Sequence, residues 1–356
     1  MNAEKFTYDI RACFLPRPGF KFVAVDYNNL ELLAVGHQLL GVYGHSALVD
    51  IINSGDCPTD LHSKFAALLK SREEKTTITY EDFIARKHEK EFKAYRGKGK
   101  PMSLGRPGGM GYDTIRGQCE KSGINLEYKE VFKHDHEATL KRMFFKHCEG
   151  KDDMRIKRTG KKEWAIVKDE VVGIRKALDD LYPELKDFLT EGHKQFLTGQ
   201  KTYVKNDFNE WEEEPYYRFD TMGVQRNYCT YTAFCNGFLM QTPSAVGAKK
   251  AVYDSFRHWE SSEEVFMLGF IHDEIIFEVK DNDNLHSNVA KCSEILIDSM
   301  KEVLPSVRVA VEYTIHTCWA KDGNDEDGVY WKDKDDTQLR YKGDGYVKPK
   351  AAAART

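Results

Sequence analysis

Residues 265–279, VFMLGFIHDEIIFEV, carry two runs of apolar and β-branched residues around the polar triplet His272-Asp273-Glu274. Such a pattern predicts a β-hairpin with both strands largely buried and two adjacent carboxylates at its turn. A second apolar run, residues 20–25, predicts a strand ending on Asp26. Residues 26–32 then lead into a helical pattern through Leu33, Val35 and Leu39–Leu40. Residues 56–69 read as a turn followed by an amphipathic helix, with Thr59 or Asp60 as its cap and His62 in its first turn. Residues 112–200 are expected to be mostly helical, with an exposed basic loop or hairpin near 151–162. Residues 181–185 open a helix running to about Phe196, and residues 201–219 read as a second hairpin. Helical spacing returns late in residues 226–252 and again over 282–303, and residues 307–315 read as a strand. Beyond Asp322 the chain is too polar to pack and is expected to be flexible.

Composition changes this picture little. The 356 residues are enough for one large or two medium domains, and a hydrophobic content of 41% is that of a globular protein. No run approaches the roughly 18 apolar residues of a membrane span, and no signal-peptide pattern opens the chain. The eight cysteines form no CxxC pair, so neither a zinc ribbon nor a disulfide framework is indicated, and a reducing cytoplasmic setting is expected. A net charge of −4 does not announce a nucleic-acid binder, so local patterning has to decide.

Three stretches carry candidate chemistry. Asp26, at the end of a buried strand with Glu31 five residues on, is placed to look into a cleft, although a helix cap would use the same residue type. The His272-Asp273-Glu274 turn sets like charges side by side, which is costly unless a cation or hydrogen bonds offset it. A solvated turn is the competing reading. Residues 86–106 hold eight Lys or Arg against two Glu. Arg96 and Lys100, four apart, share a helical face that Leu104 continues, whereas most charge runs are only solvated faces. Gly97, Gly99 and Pro101 fit a helix interior poorly, and the glycines of 105–111 lack P-loop spacing. His134-Asp135-His136-Glu137 reads as surface charge rather than a metal cluster. Paired carboxylates, then a basic helix, then a carboxylate hairpin, form a layout suited to two hard divalent cations and a polyphosphate substrate.

These stretches resemble the motifs of family A DNA polymerases (the DNA polymerase I family), especially the bacteriophage branch. AVDYNNLELLAVGH is similar to the first motif, DYSQIELR. RGKGKPMSLGRPGGMG resembles the second, RxxxKxxxFG, in the phage form that continues PGG. FIHDEIIFEV resembles the third. DLH at 60–62 and CNGFLMQTPSAVGAKKA are similar to two lesser landmarks, and the resemblance runs from about residue 10 to residue 320.

The resemblance implies an α/β (α+β) fold: a right-hand polymerase palm on an antiparallel sheet plus mainly helical fingers, without thumb or exonuclease. The expected segments are palm at 1–36, fingers at 37–228 with an insertion at 148–175, palm again at 229–321, and a charged flexible tail at 322–356. It implies that Asp26 and Asp273, with the backbone carbonyl of Tyr27, ligate two Mg2+ ions, for which Mn2+ is an expected substitute. Glu31 would crowd the sugar 2′ carbon and favour deoxyribonucleotides. Arg96, Lys100 and His62 would contact the triphosphate, with Lys100 neutralising or protonating pyrophosphate and Leu104 in the nucleotide-stacking position. Arg226, Asn236 and Gln241 would lie along template–primer DNA, and His272 and Glu274 beside the primer terminus. The reaction would be attack of a primer 3′-OH on a dNTP.

Several departures matter. Leu104 replaces an aromatic residue, Asn29 replaces Gln, and one extra residue between Asn236 and Gln241 puts that register in doubt. Only about 25 residues precede Asp26, so a second polypeptide carrying thumb and exonuclease is expected, as in a split polymerase acting in phage DNA replication in the host cytoplasm. A catalytically silent DNA-binding or assembly subunit and a single-subunit RNA polymerase relative are the alternatives. A hydrolase is disfavoured because nothing resembles an exonuclease DxE motif in the right place.

Overall fold

Strand β1 is Phe20–Tyr27, followed by helices α1 (Leu30–Tyr43), α2 (Ala47–Asn53), α3 (Leu61–Glu74), α4 (Tyr80–Ala85), α5 (Lys90–Gly105) and α6 (Tyr112–Lys121) in a computed structural model. Then come β2 (Tyr128–His134), α7 (Glu137–His147), β3 (Met154–Gly160), β4 (Glu163–Asp169), α8 (Glu170–Leu181) and α9 (Pro183–Thr190). Next are β5 (Leu197–Lys205), β6 (Trp211–Thr221), β7 (Val224–Cys229), α10 (Tyr231–Asn236) and α11 (Thr242–Trp259). The chain continues through β8 (Val265–Ile271), β9 (Glu274–Lys280), α12 (Leu285–Val303), β10 (Ala310–His316), β11 (Asn324–Lys332) and β12 (Leu339–Lys342). The structure describes residues 13–55, 60–319, 324–332 and 338–343. The fold is mixed α and β, and its sheets are antiparallel. No helix among the described residues is long and apolar enough to cross a membrane.

The chain divides into two units, Met1–Leu33 with Ile52–Pro58 and Ser244–Thr356, and Ala34–Ile51 with Thr59–Pro243. The expected boundaries at 36/37 and 228/229 lie close to the first break but some fifteen residues before the last, which falls inside α11.

The first unit is built on a six-stranded sheet in the order β12-β11-β10-β1-β9-β8. Val23 pairs with Ile315 and Phe277, and Val25 with Tyr313 and Ile275, and all six are buried. Alternation along β1 puts Tyr27 on the same face, where its hydroxyl donates to the Leu296 carbonyl of α12 (2.9 Å). That face is the core, covered by α12. The expected hairpin is β8–β9, closed by a two-residue turn, because Ile271 pairs with Glu274. Only β9 is buried as expected: β8 is the edge of the sheet, covered on one side by no further strand, and leaves Leu268 and Phe270 exposed. A second expectation is corrected. The tail from 322 is not loose over its described part, where β11 and β12 extend the sheet. Trp331 there is buried, 8% exposed. The remaining tail residues, and residues 1–12 of the first expected segment, lie outside the described residues.

The second unit centres on α3 and α5. The two pack closely at Gly99: a Cβ there would meet the Phe65 ring at 3.2 Å and the α3 backbone at 3.8 Å. A side chain at Gly97 would likewise meet Ile124. The glycines that made α5 look irregular are thus the condition for its packing, and the helix runs unbroken through Pro101. The expected basic insertion is the β3–β4 hairpin, part of a three-stranded sheet (β2-β4-β3) on which α7 packs through Leu140, Cys148, Met154 and Ile166. Residues 112–200 are therefore less helical than expected. The hairpin expected at 201–219 is β5–β6, joined by β7 into another three-stranded sheet. Its core is a stack of aromatic rings: Tyr217 on Phe234 (4.9 Å), Phe234 on Phe238 (5.7 Å) and Phe188 on Phe238 (5.8 Å).

Candidate functional site: a carboxylate row and a cationic helix face

In the first unit, Asp26 pairs in register with Glu274 on one side and Glu312 on the other. Opposed residues project to the same face, here the one opposite α12. Three carboxylates therefore stand abreast across β9, β1 and β10. The β8–β9 turn adds Asp273, whose carbonyl accepts the Tyr27 N–H (3.4 Å), fastening the turn beside Asp26. His272 reaches this turn with φ 60°, a left-handed conformation that costs a non-glycine residue about 1–3 kcal/mol.

This row is electrostatically poor. Burial, followed by the charges of Asp273 and Glu274, a hydrogen bond with Asp273 and the charge of Glu312, pushes the Asp26 carboxyl up to about 8. Its Oδ1 is buried without a hydrogen-bond partner. A buried, unpartnered carboxylate oxygen facing like charges is the arrangement a divalent cation would relieve. Asp26 and Asp273, with the Tyr27 carbonyl beside them, fit hard cations of the Mg2+ type. No group of three or more His, Cys, Asp or Glu side chains is arranged to hold a metal ion among the described residues. Mg2+ does not demand one: it commonly takes one or two carboxylates and completes its shell with water and substrate phosphates.

Glu31 lies in the first turn of α1. That helix begins at Asn29, whose φ of 54° is one asparagine tolerates, and whose carbonyl accepts the N–H groups of Leu32 and Leu33 (2.9 and 3.0 Å). Glu312 was not among the expected site residues. Only pairing between strands nearly 290 positions apart reveals it, and no local pattern reports that register.

In the second unit, Asp60 caps α3, accepting from the Ser63 N–H (3.1 Å) and hydroxyl (2.8 Å). The other expected cap, Thr59, lies outside the described residues. Arg96 donates to Asp60 (3.3 Å) and Ser63 (3.3 Å). Burial opposes ionisation of Asp60, but Arg96 and the Ser63 hydrogen bonds outweigh it and hold the carboxyl below its ordinary value. His62 is 7% exposed, and its Nδ1 meets the Ser103 hydroxyl at 2.7 Å. Burial, reinforced by Arg96 and Lys100 against the pull of Asp60, pushes this histidine down to about 4. His62 is therefore neutral at neutral pH, and it offers a hydrogen bond rather than a charge.

Arg96, Lys100 and Leu104 line one groove of about 540 Å3 between α5 and α6. The shared face expected of them is thus observed, and Lys100 makes no ion pair among the described residues.

Asn236 ends α10 and the exposed Gln241 ends a π-helical turn, Gly237–Gln241. A π turn accommodates one more residue than an α turn. Residues five apart across it stay on one side, much as residues four apart do in an α-helix. The wider turn leaves the Phe238 carbonyl to the buried Gln38, whose Nε2 donates to it (2.7 Å) and to Thr221 (3.0 Å). Gln38→Leu should strand that carbonyl and cost about 1–3 kcal/mol, read by urea denaturation. Arg226 is exposed on β7.

Comparison with known protein families and with curated proteins finds no match for this chain.

Proposed function

We propose that this chain is a DNA-templated DNA polymerase of the family A, bacteriophage type, its first unit acting as palm and its second as fingers. The observation that carries the reading is the carboxylate row, in which a buried Asp26 oxygen lacks any partner while Asp273, Glu274 and Glu312 crowd it. Divalent cations, when bound there, would supply the charge that activates a primer 3′-oxygen and stabilises departing pyrophosphate.

The chain's own residues supply the rest. Asp26 and Asp273 would hold the cations, their carboxylates kept in place by the fixed β1–β9 pairing and its turn. Arg96, already oriented by Asp60 and Ser63, and the unpaired Lys100 meet the triphosphate. His62, kept neutral, donates to a phosphate oxygen without adding charge. Leu104 packs on the nucleotide as an aliphatic surface in place of an aromatic ring. Glu31 excludes a 2′-hydroxyl. Gln241, Asn236 and Arg226 contact template–primer, with His272 and Glu274 near its 3′ end. Rate would come from positioning and charge stabilisation, with no covalent intermediate.

The test is primer extension on a DNA template in Mg2+, with dNTPs and then with rNTPs, by the chain alone and with a complementary thumb-bearing subunit. Extension with dNTPs supports the reading. A preference for rNTPs would favour an RNA polymerase relative, and no extension in any arm would favour a silent assembly subunit. Growth of the signal on adding the subunit would support the expected second polypeptide.

A further inference from the structure

The groove between α5 and α6 has more cations than the matched motif accounts for. Lys93, Arg96, Lys100 and Lys121 all line it, and no Asp or Glu does. Lys93 lies one turn before Arg96 and two before Lys100 on the same face of α5, whereas Lys121 comes from α6, the opposite wall. Lys93, Lys100 and Lys121 are exposed, and none of them forms an ion pair among the described residues. Lys70, on α3, is by contrast held by Glu74 and Glu91. The groove floor is apolar, formed by Pro101 and Leu104 with Gly97 between the cations.

Three unpaired lysines, beside an Arg96 that Asp60 only partly offsets, repel one another around the groove until a polyanion enters. A nucleoside triphosphate carries such a charge on a flat apolar body. We propose that this groove binds the triphosphate group without a divalent cation, and that Lys93 and Lys121 are binding residues of it alongside Arg96 and Lys100. The proposal deepens the polymerase reading, since it enlarges the nucleotide site of the second unit. It differs in its requirement: the groove holds its ligand whether or not the carboxylate row of the first unit is loaded.

The experiment is calorimetric titration of the full chain with inorganic triphosphate, and separately with dATP, in EDTA. Both are expected to bind, dATP more tightly because of the floor, with affinities that fall as salt is raised. Lys93→Gln and Lys121→Gln should each weaken binding about tenfold, and Lys90→Gln, an exposed lysine of α5 outside the groove, should not. Asp273→Ala should bind as the wild type does. Absence of binding in EDTA, or wild-type affinity in both Lys93→Gln and Lys121→Gln, would overturn the proposal. If primer extension fails while binding in EDTA persists and responds to these substitutions, the polymerase reading falls and the groove stands. If extension succeeds but Lys93 and Lys121 prove silent, the reverse holds.

Discussion

Asp273→Asn is expected to cut nucleotide incorporation about a thousandfold while making the metal-free protein more stable at pH 8. The two effects have one cause. Asp273 is the largest charged neighbour raising the Asp26 carboxyl, through both its charge and a hydrogen bond. The amide keeps the size and turn position of Asp273 but removes the like charge, so Asp26 ionises more easily. Relief of about 1 kcal/mol would raise the unfolding midpoint by about 1–2 °C in a chain of this size. The same change removes a cation ligand, which is why activity falls. Differential scanning calorimetry in EDTA and single-turnover incorporation in Mg2+ measure the two halves. A variant that is both less active and less stable would show Asp273 to be a structural residue.

A second large effect is expected in the pH dependence of stability without metal. The folded-state carboxyl of Asp26 is raised to about 8, against an ordinary value of 3.8 in the unfolded chain. The fold thus favours the protonated form. Its contribution is complete below about pH 4 and is lost as pH rises toward 8 and beyond, a change on the order of a few kcal/mol. Mg2+ should reverse the trend, because it binds the ionised form, stabilising the protein more at pH 8 than at pH 5. Asp26→Asn should flatten this component in both conditions. The measurement is the difference in unfolding free energy between wild type and Asp26→Asn from pH 5 to 8, with EDTA and with Mg2+. A constant difference would refute the electrostatic account of the row.

What the sequence disclosed and what it hid follow from the range of the signals. Residues 20–26 and 265–279 announced their strands because apolar residues dominate each run up to a carboxylate; β1 and β9 are buried in the sheet, whereas β8, expected to be buried as well, is its edge and leaves Leu268 and Phe270 exposed. The cap at Asp60 and the common face of Arg96, Lys100 and Leu104 are local features and were equally legible. β11 was missed because its residues are mostly polar and it is held by scattered contacts: the buried Trp331, the Tyr330 ring beside Tyr313 and Tyr341, and Lys332 paired with Asp298. The β2-β4-β3 sheet was missed because lysines and arginines, whose aliphatic stems can cover apolar surface, blur the alternation of a strand. Pro101 and its neighbouring glycines argued against a helix that only tertiary packing on Phe65 and Ile124 explains. The π turn reads as an ordinary helix from its residues, and Glu312 depends on register alone.

The most direct measurement is rapid-quench incorporation of one templated dNTP on primed DNA in Mg2+, wild type beside Asp26→Asn. The account predicts template-dictated addition by the wild type and a loss of about a thousandfold in the variant, with wild-type affinity for inorganic triphosphate retained. Equal rates for the two proteins would contradict it, because a reaction indifferent to Asp26 cannot be run by the carboxylate row.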